Sequence, residues 1–138
     1  MRKLTIIAAA AAMLAAPALG AQEQNSGEVA GQTRGEIKLA EMLEGRIAGE
    51  PQSCIRMMPS TDLTVIDGTA LVYKSGRTLY VNVTDNPASI DEDDTMVRRT
   101  SFASRLCNTD IITKIDRFHG GYTGNVNLGL FIPYRKAS

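Results

Sequence analysis

A single histidine, His119, is all the sequence holds of the commonest catalytic base. It stands in Phe118-His119-Gly120-Gly121-Tyr122, a turn by composition, and reads as an exposed turn residue. No G-x-S-x-G, H-E-x-x-H or C-x-x-C occurs, so the compact signatures of serine hydrolases, zinc peptidases and thiol redox proteins are missing. Charge of one sign is scarce too, with 15 Lys plus Arg against 15 Asp plus Glu. Such a balance argues against a nucleic-acid partner, which calls for a positive excess and a recognisable module. There is no internal repeat. The one long apolar run, Leu4 to Ala16, is thirteen residues, short of the roughly 20 that a spanning helix needs.

That run reads instead as a leader. Arg2 and Lys3 precede it, Pro17 ends it, and Ala18-Leu19-Gly20-Ala21 supplies small residues for cleavage, the three-part pattern of an export signal over residues 1–21. The alanine-rich core suits a bacterial signal, so the expected location is the periplasm or the medium. No stable membrane span is expected after cleavage. Loss of Arg2 and Lys3 lowers Lys plus Arg from 15 to 13 and leaves a formal charge of −2, which steers no partner strongly. Residues 22–34 are rich in Gln, Gly, Asn and Ser and read as a disordered leader. Residues 35–136 are then enough for one small core.

Two cysteines remain, Cys54 and Cys107. An even count in an oxidising compartment predicts a disulfide, and with two the pairing is forced. A loop of this length is stabilised by about 4 kcal/mol in chain-entropy terms.

The periodicity predicts a mostly β, α+β domain: one N-terminal amphipathic helix on an antiparallel meander or partial barrel of five to seven strands. Ile37, Ala40, Leu43 and Ile47 recur at helical spacing over 35–48, with Gly49 and Pro51 as the stop. From Leu63 the period is two. Asp67-Gly68 and Ser75-Gly76 read as two-residue turns, giving strands 62–66, 69–74 and 77–84. This register gathers Leu63, Val65, Ala70, Val72, Leu79, Val81 and Val83 on one face. Asn82 falls on the other as an ordinary polar residue, although Asn82-Val83-Thr84 also fits a glycosylation sequon. Further strands are expected at 53–57, at 110–118, and along Val126, Leu128, Leu130 and Ile132 up to Pro133.

The series Gly45-Arg46-Ile47-Ala48-Gly49, Cys54-Ile55, Val65-Ile66-Asp67-Gly68-Thr69-Ala70, Thr78-Leu79-Tyr80-Val81-Asn82, Leu128-Gly129 and Pro133-Tyr134 resembles short exported proteins of Gram-negative, alphaproteobacterial bacteria over residues 43–134. That resemblance implies export and a single domain. It carries no activity and no site residue.

Three groups remain as candidate sites. Asp91, Asp93 and Asp94 sit in an acidic loop with oxygen ligands of the kind calcium takes. Counted from Asp91, however, Met96 stands at position six and Phe102 at twelve, where an EF-hand needs Gly and Glu. The expectation is a solvated loop with at most weak calcium binding. Arg98, Arg99 and Arg105 form a small basic group expected to pair with Asp93 and Asp94. Ile66, Leu71, Tyr73 and Tyr80 fall on the second face of the meander, too apolar to stay wet. The chain's own helix covers it through Ile37, Leu43 and Ile47, or a partner protein or apolar ligand does. No cofactor is called for. The expected function is a non-enzymatic, envelope-associated binding module. The alternative is a small hydrolase or metal-dependent enzyme with a scattered site, and clustering of the acidic loop, His119 and the tyrosines in one pocket would favour it.

Overall fold

The structure, a computed structural model, describes residues 32–99 and 102–137. The expected signal and the expected leader as far as Gly31 lie outside the described residues. Thr33 and Arg34, read as the end of the leader, belong to the helix. Helix α1 is Arg34–Met42, and Thr33 caps it. The Thr33 hydroxyl accepts the Glu36 amide at 3.2 Å while the Glu36 carboxylate accepts the Thr33 amide at 2.7 Å, a reciprocal pair that satisfies two otherwise orphaned donors. The helix stops earlier than its apolar spacing predicts. Gly45 turns the chain at φ 73°, and Arg46–Ala48 form strand β1. Pairing with a distant strand overrides local helical spacing here, and Ile47 stays 64 % exposed.

The remaining strands are β2 (Cys54–Arg56), β3 (Asp62–Ile66), β4 (Ala70–Ser75), β5 (Thr78–Asn82), β6 (Asp94–Arg99), β7 (Arg105–Cys107), β8 (Ile111–Asp116), β9 (Tyr122–Asn127) and β10 (Phe131–Lys136). All pairing is antiparallel, in three sheets ordered β1-β10-β5-β4-β3, β2-β7 and β6-β8-β9. Among the described residues the class is the expected one, one α-helix with antiparallel strands and one disulfide. The strands are more numerous and shorter, and they divide among three sheets. β6 and β7 had no clear alternation to announce them.

Two turns decide which residues meet. Ile66 pairs with Ala70, so the first turn holds three residues, Asp67 to Thr69. This moves β3 by one position relative to the expected register, and an odd shift exchanges faces. Leu63 and Val65 therefore lie with Leu71 and Tyr73, and Ile66 lies with Ala70 and Val72. The second turn closes between Ser75 and Thr78, which offsets the pairing by two. An even shift keeps the faces. Tyr73 now stands directly opposite Tyr80, and Leu71 opposite Asn82.

The five-stranded sheet is covered on both sides. On one, Ile66, Ala70, Val72, Leu79 and Val81 pack against Leu39 and Met42 of α1 and against Leu43 at its C-terminal cap. On the other, Leu71, Tyr73 and Phe131 join Ile55 and Leu106 of the small ribbon and Ile112 and Val126 of the third sheet. Tyr73 and Phe131 meet edge to face at 6.0 Å, a favourable aromatic geometry. Helix α1 thus covers the valine face, and strands cover the tyrosine face.

Two local features correct the expected last strand. The alternation from Val126 to Ile132 is interrupted at Leu128–Leu130, and β10 begins at Phe131. At that break the buried Asn82 amide donates to the Gly129 carbonyl at 2.7 Å and accepts the Gly129 amide at 2.8 Å. A Cβ at Gly129 would collide with the Val83 carbonyl. Asn82 is therefore a fully buried clamp, closed to glycosylation. Pro133, expected to end the strand, lies inside β10. Its carbonyl accepts the Gly49 amide at 2.7 Å, so its nitrogen faces the same side, just past the end of β1, and no ladder donor is missed.

Candidate functional site

The same register that builds the five-stranded sheet gathers cations at one end of it. Arg46 opens β1 and pairs with Lys136 of β10. Arg135 pairs with Thr78, the first residue of β5. Lys74 lies near the end of β4, and Arg77 is in the turn that joins β4 to β5. These five side chains line a cleft of roughly 720 Å³. Arg46 is half-buried and braces the site, its guanidinium donating to the carbonyls of Arg77 at 2.9 Å and Tyr134 at 3.2 Å. The other four are exposed. Among the described residues none of the five reaches a carboxylate within 4.0 Å. The site was hidden in the sequence because its members span residues 46–136 and are neutralised in the overall count. Only the turn at 75–76 hinted that Lys74 and Arg77 lie together.

The candidates read from sequence lie elsewhere. Cys54 and Cys107 are joined, with Cα atoms 3.9 Å apart, as a directly opposed pair of β2 and β7. Ile66, Leu71 and Tyr73 are at most 3 % exposed, and Ile66 is on the face opposite the other two. Tyr80 is half-buried against the same core. The chain itself covers this face, so the three buried residues present no open docking surface. Burial raises the Tyr73 hydroxyl above its usual range, opposed by the nearby Arg98 charge.

The acidic loop is held by backbone. Asp91 accepts the Asp93 amide at 2.8 Å, Asp67 accepts the Glu92 amide, and Arg117 donates to the Glu92 carbonyl at 2.8 Å. Asp94 is 8 % exposed on β6. Among the described residues no group of three or more His, Cys, Asp or Glu is placed to hold a metal ion. Arg98, Arg99 and Arg105 do not form the expected ion pairs with Asp93 and Asp94 among the described residues. Arg98 instead donates to the Ala103 carbonyl at 2.9 Å, and Arg105 lies 4.9 Å over the Phe102 ring. Alternation along β6 sends Arg98 and Arg99 to opposite faces, which separates them.

His119 is exposed, its ring 3.2 Å from Asp116. The Asp116 carboxyl is held below its usual range, first by the His119 amide, then by the Phe118 amide. His119, the acidic loop and the tyrosines line no common cavity. No helix among the described residues is long and apolar enough to cross a membrane. Comparison with protein families, curated proteins and solved structures finds no match.

Proposed function

We propose that this chain is an exported, periplasmic, non-catalytic binding module that docks its basic cleft on the phosphate-bearing headgroups of an envelope membrane. One observation carries the reading: five cations converge on one end of a sheet, none has a described carboxylate within 4.0 Å, and only Asp62, opposite Lys74, is set against them by strand pairing. Phosphate oxygens are the natural complement of exposed Arg and Lys. Each basic residue near an anionic membrane contributes about 1 kcal/mol, enough for reversible attachment without an apolar anchor. Export is supported by the leader pattern of residues 1–21 and by the Cys54–Cys107 disulfide, which an oxidising compartment permits. His119 and the acidic loop lie on neighbouring turns, joined through Arg117 and the Asp94–Asp116 pair, but they share no cavity with the tyrosines, which supports binding over catalysis.

Vesicle sedimentation tests this with the mature protein. It should co-sediment with vesicles containing phosphatidylglycerol at low salt and leave them as salt rises. Vesicles of phosphatidylcholine alone should not retain it. Joint reversal of two exposed cations, Arg77→Glu with Lys136→Glu, should weaken attachment at least tenfold with little change in melting. Equal retention on both vesicle types, or on neither, would overturn the proposal.

A further inference from the structure

Arg98 is the one described arginine whose guanidinium carries a buried nitrogen with no hydrogen-bond partner: Nη2 donates to Ala103, while Nη1 is enclosed and unpaired. A long cationic side chain ordinarily extends its head to water, and leaving a charged donor buried and unmatched is costly. Such a group in a folded protein calls for an explanation. Its surroundings supply one. Alternation on β6 aims Arg98 and Met96 inward, toward Ile112 on the paired strand β8. Across the gap stand Tyr73, Leu63 and Met57. Together these side chains line a cavity of roughly 200 Å³.

We propose that this cavity binds a small amphipathic carboxylate: a turn of the Arg98 head brings the enclosed Nη1 to the cavity, the two oxygens sit on the guanidinium, and the short apolar body lies among Met57, Leu63, Met96 and Ile112. The guanidinium fork matches a planar carboxylate with two parallel hydrogen bonds. The two methionines give a wall that adapts to an aliphatic chain. The volume sits below the 300–1,000 Å³ typical of drug-sized ligands, which limits the tail to a few carbons. The buried Tyr73 hydroxyl stays protonated and keeps a proton to donate. The cavity shares no lining residue with the basic cleft, so the two sites stand or fall separately.

The probe is hexanoate, followed by methyl NMR of the mature protein. Hexanoate should shift the Met57 and Met96 methyl signals in a saturable way, with affinity in roughly the millimolar range expected of so small a ligand. The neutral alcohol 1-hexanol should shift them at least tenfold less effectively, a comparison that needs no variant. Arg98→Met, similar in length and apolar, should lose hexanoate binding while keeping the dispersed methyl spectrum of a folded domain. Arg77→Glu with Lys136→Glu should bind hexanoate as the unmodified protein does, whatever its behaviour on vesicles. Methyl signals that hexanoate leaves unmoved, equal potency of 1-hexanol, or undiminished binding by folded Arg98→Met would each overturn the proposal.

Discussion

The two ends of the five-stranded sheet use their charged side chains differently, carboxylates at one and a cluster of cations at the other. At the Asp67–Thr69 end, Asp67 takes the Glu92 amide, Asp91 takes the Asp93 amide, and Glu92 stands 4.0 Å from Lys38. Carboxylates there close turns in the backbone. At the Gly76–Arg77 end, only Arg46 is engaged, and with carbonyls. Lys74, Arg77, Arg135 and Lys136 form no ion pair within 4.0 Å among the described residues, although Asp62 stands opposite Lys74. Both sets are surface charges with similar composition signals. What separates them is whether a backbone group already occupies them. Charge committed to the chain's own amides is structural, and charge left over is available to something else.

Perturbing the parts in turn should widen that contrast. The largest effect should come from neither end. Reduction of the Cys54–Cys107 bridge removes about 4 kcal/mol and should lower the thermal midpoint by more than about 15 °C. The ribbon β2–β7 lies outside the five-stranded sheet. Below its lowered midpoint the reduced protein should therefore attach to anionic vesicles as before. Loss of attachment while calorimetry still reports a folded state would mean that the basic end depends on the ribbon.

A smaller effect is expected at the acidic end. Asp67→Ala strips the Glu92 amide of its acceptor and should cost about 1 kcal/mol in urea unfolding. Vesicle attachment should stay the same or strengthen slightly, because a repelling charge is gone. A variant with undiminished stability would show that this carboxylate is as idle as the cations are taken to be.

The smallest effect is a pH dependence at the Phe118–Gly120 turn. Asp116 has a folded-state pKa below its ordinary value, chiefly through the His119 and Phe118 amides. The sign follows: its support for the turn is complete above the ordinary carboxylate pKa of about 3.9 and fades as pH falls through the lower folded value. NMR titration should show the Asp116 carboxyl and the amides of Phe118 and His119 moving together, with a midpoint below that of a free aspartate. A midpoint at or above the free value would contradict the hydrogen bonds described.

Much of the fold was legible because apolar alternation and turn residues announce strands locally. The valine set Ala70, Val72, Leu79 and Val81 shares one face in both registers because they differ at the second turn by an even number of residues. Ile66 changes face because the first turn holds three residues instead of two, a difference that Asp67-Gly68 does not encode. Apolar spacing carries the helix on to Ile47, while the pairing of β1 with β10 that claims this residue is invisible over so many residues. The disulfide was legible because two cysteines allow one pairing. The basic cleft was not, since it exists only after β1, β4, β5 and β10 are in register. The same holds for Arg98, whose burial depends on which face of β6 turns inward.

The pairing of β1 with β10 also fixes where the chain enters and leaves the fold. At Gly35 a Cβ would meet Thr69 and the Asp67 carbonyl, so α1 starts beside the acidic turn. At the other limit, Lys136 and Ala137 line the basic cleft. An affinity handle of six histidines appended after the last residue would therefore hang over the cations it is meant to leave untouched, adding imidazoles and bound nickel to any binding assay. The same handle joined ahead of Thr33 would enter at the opposite end of the sheet. Two preparations differing only in that choice should give different apparent affinities for anionic vesicles, and the one carrying its handle in front would report the protein itself.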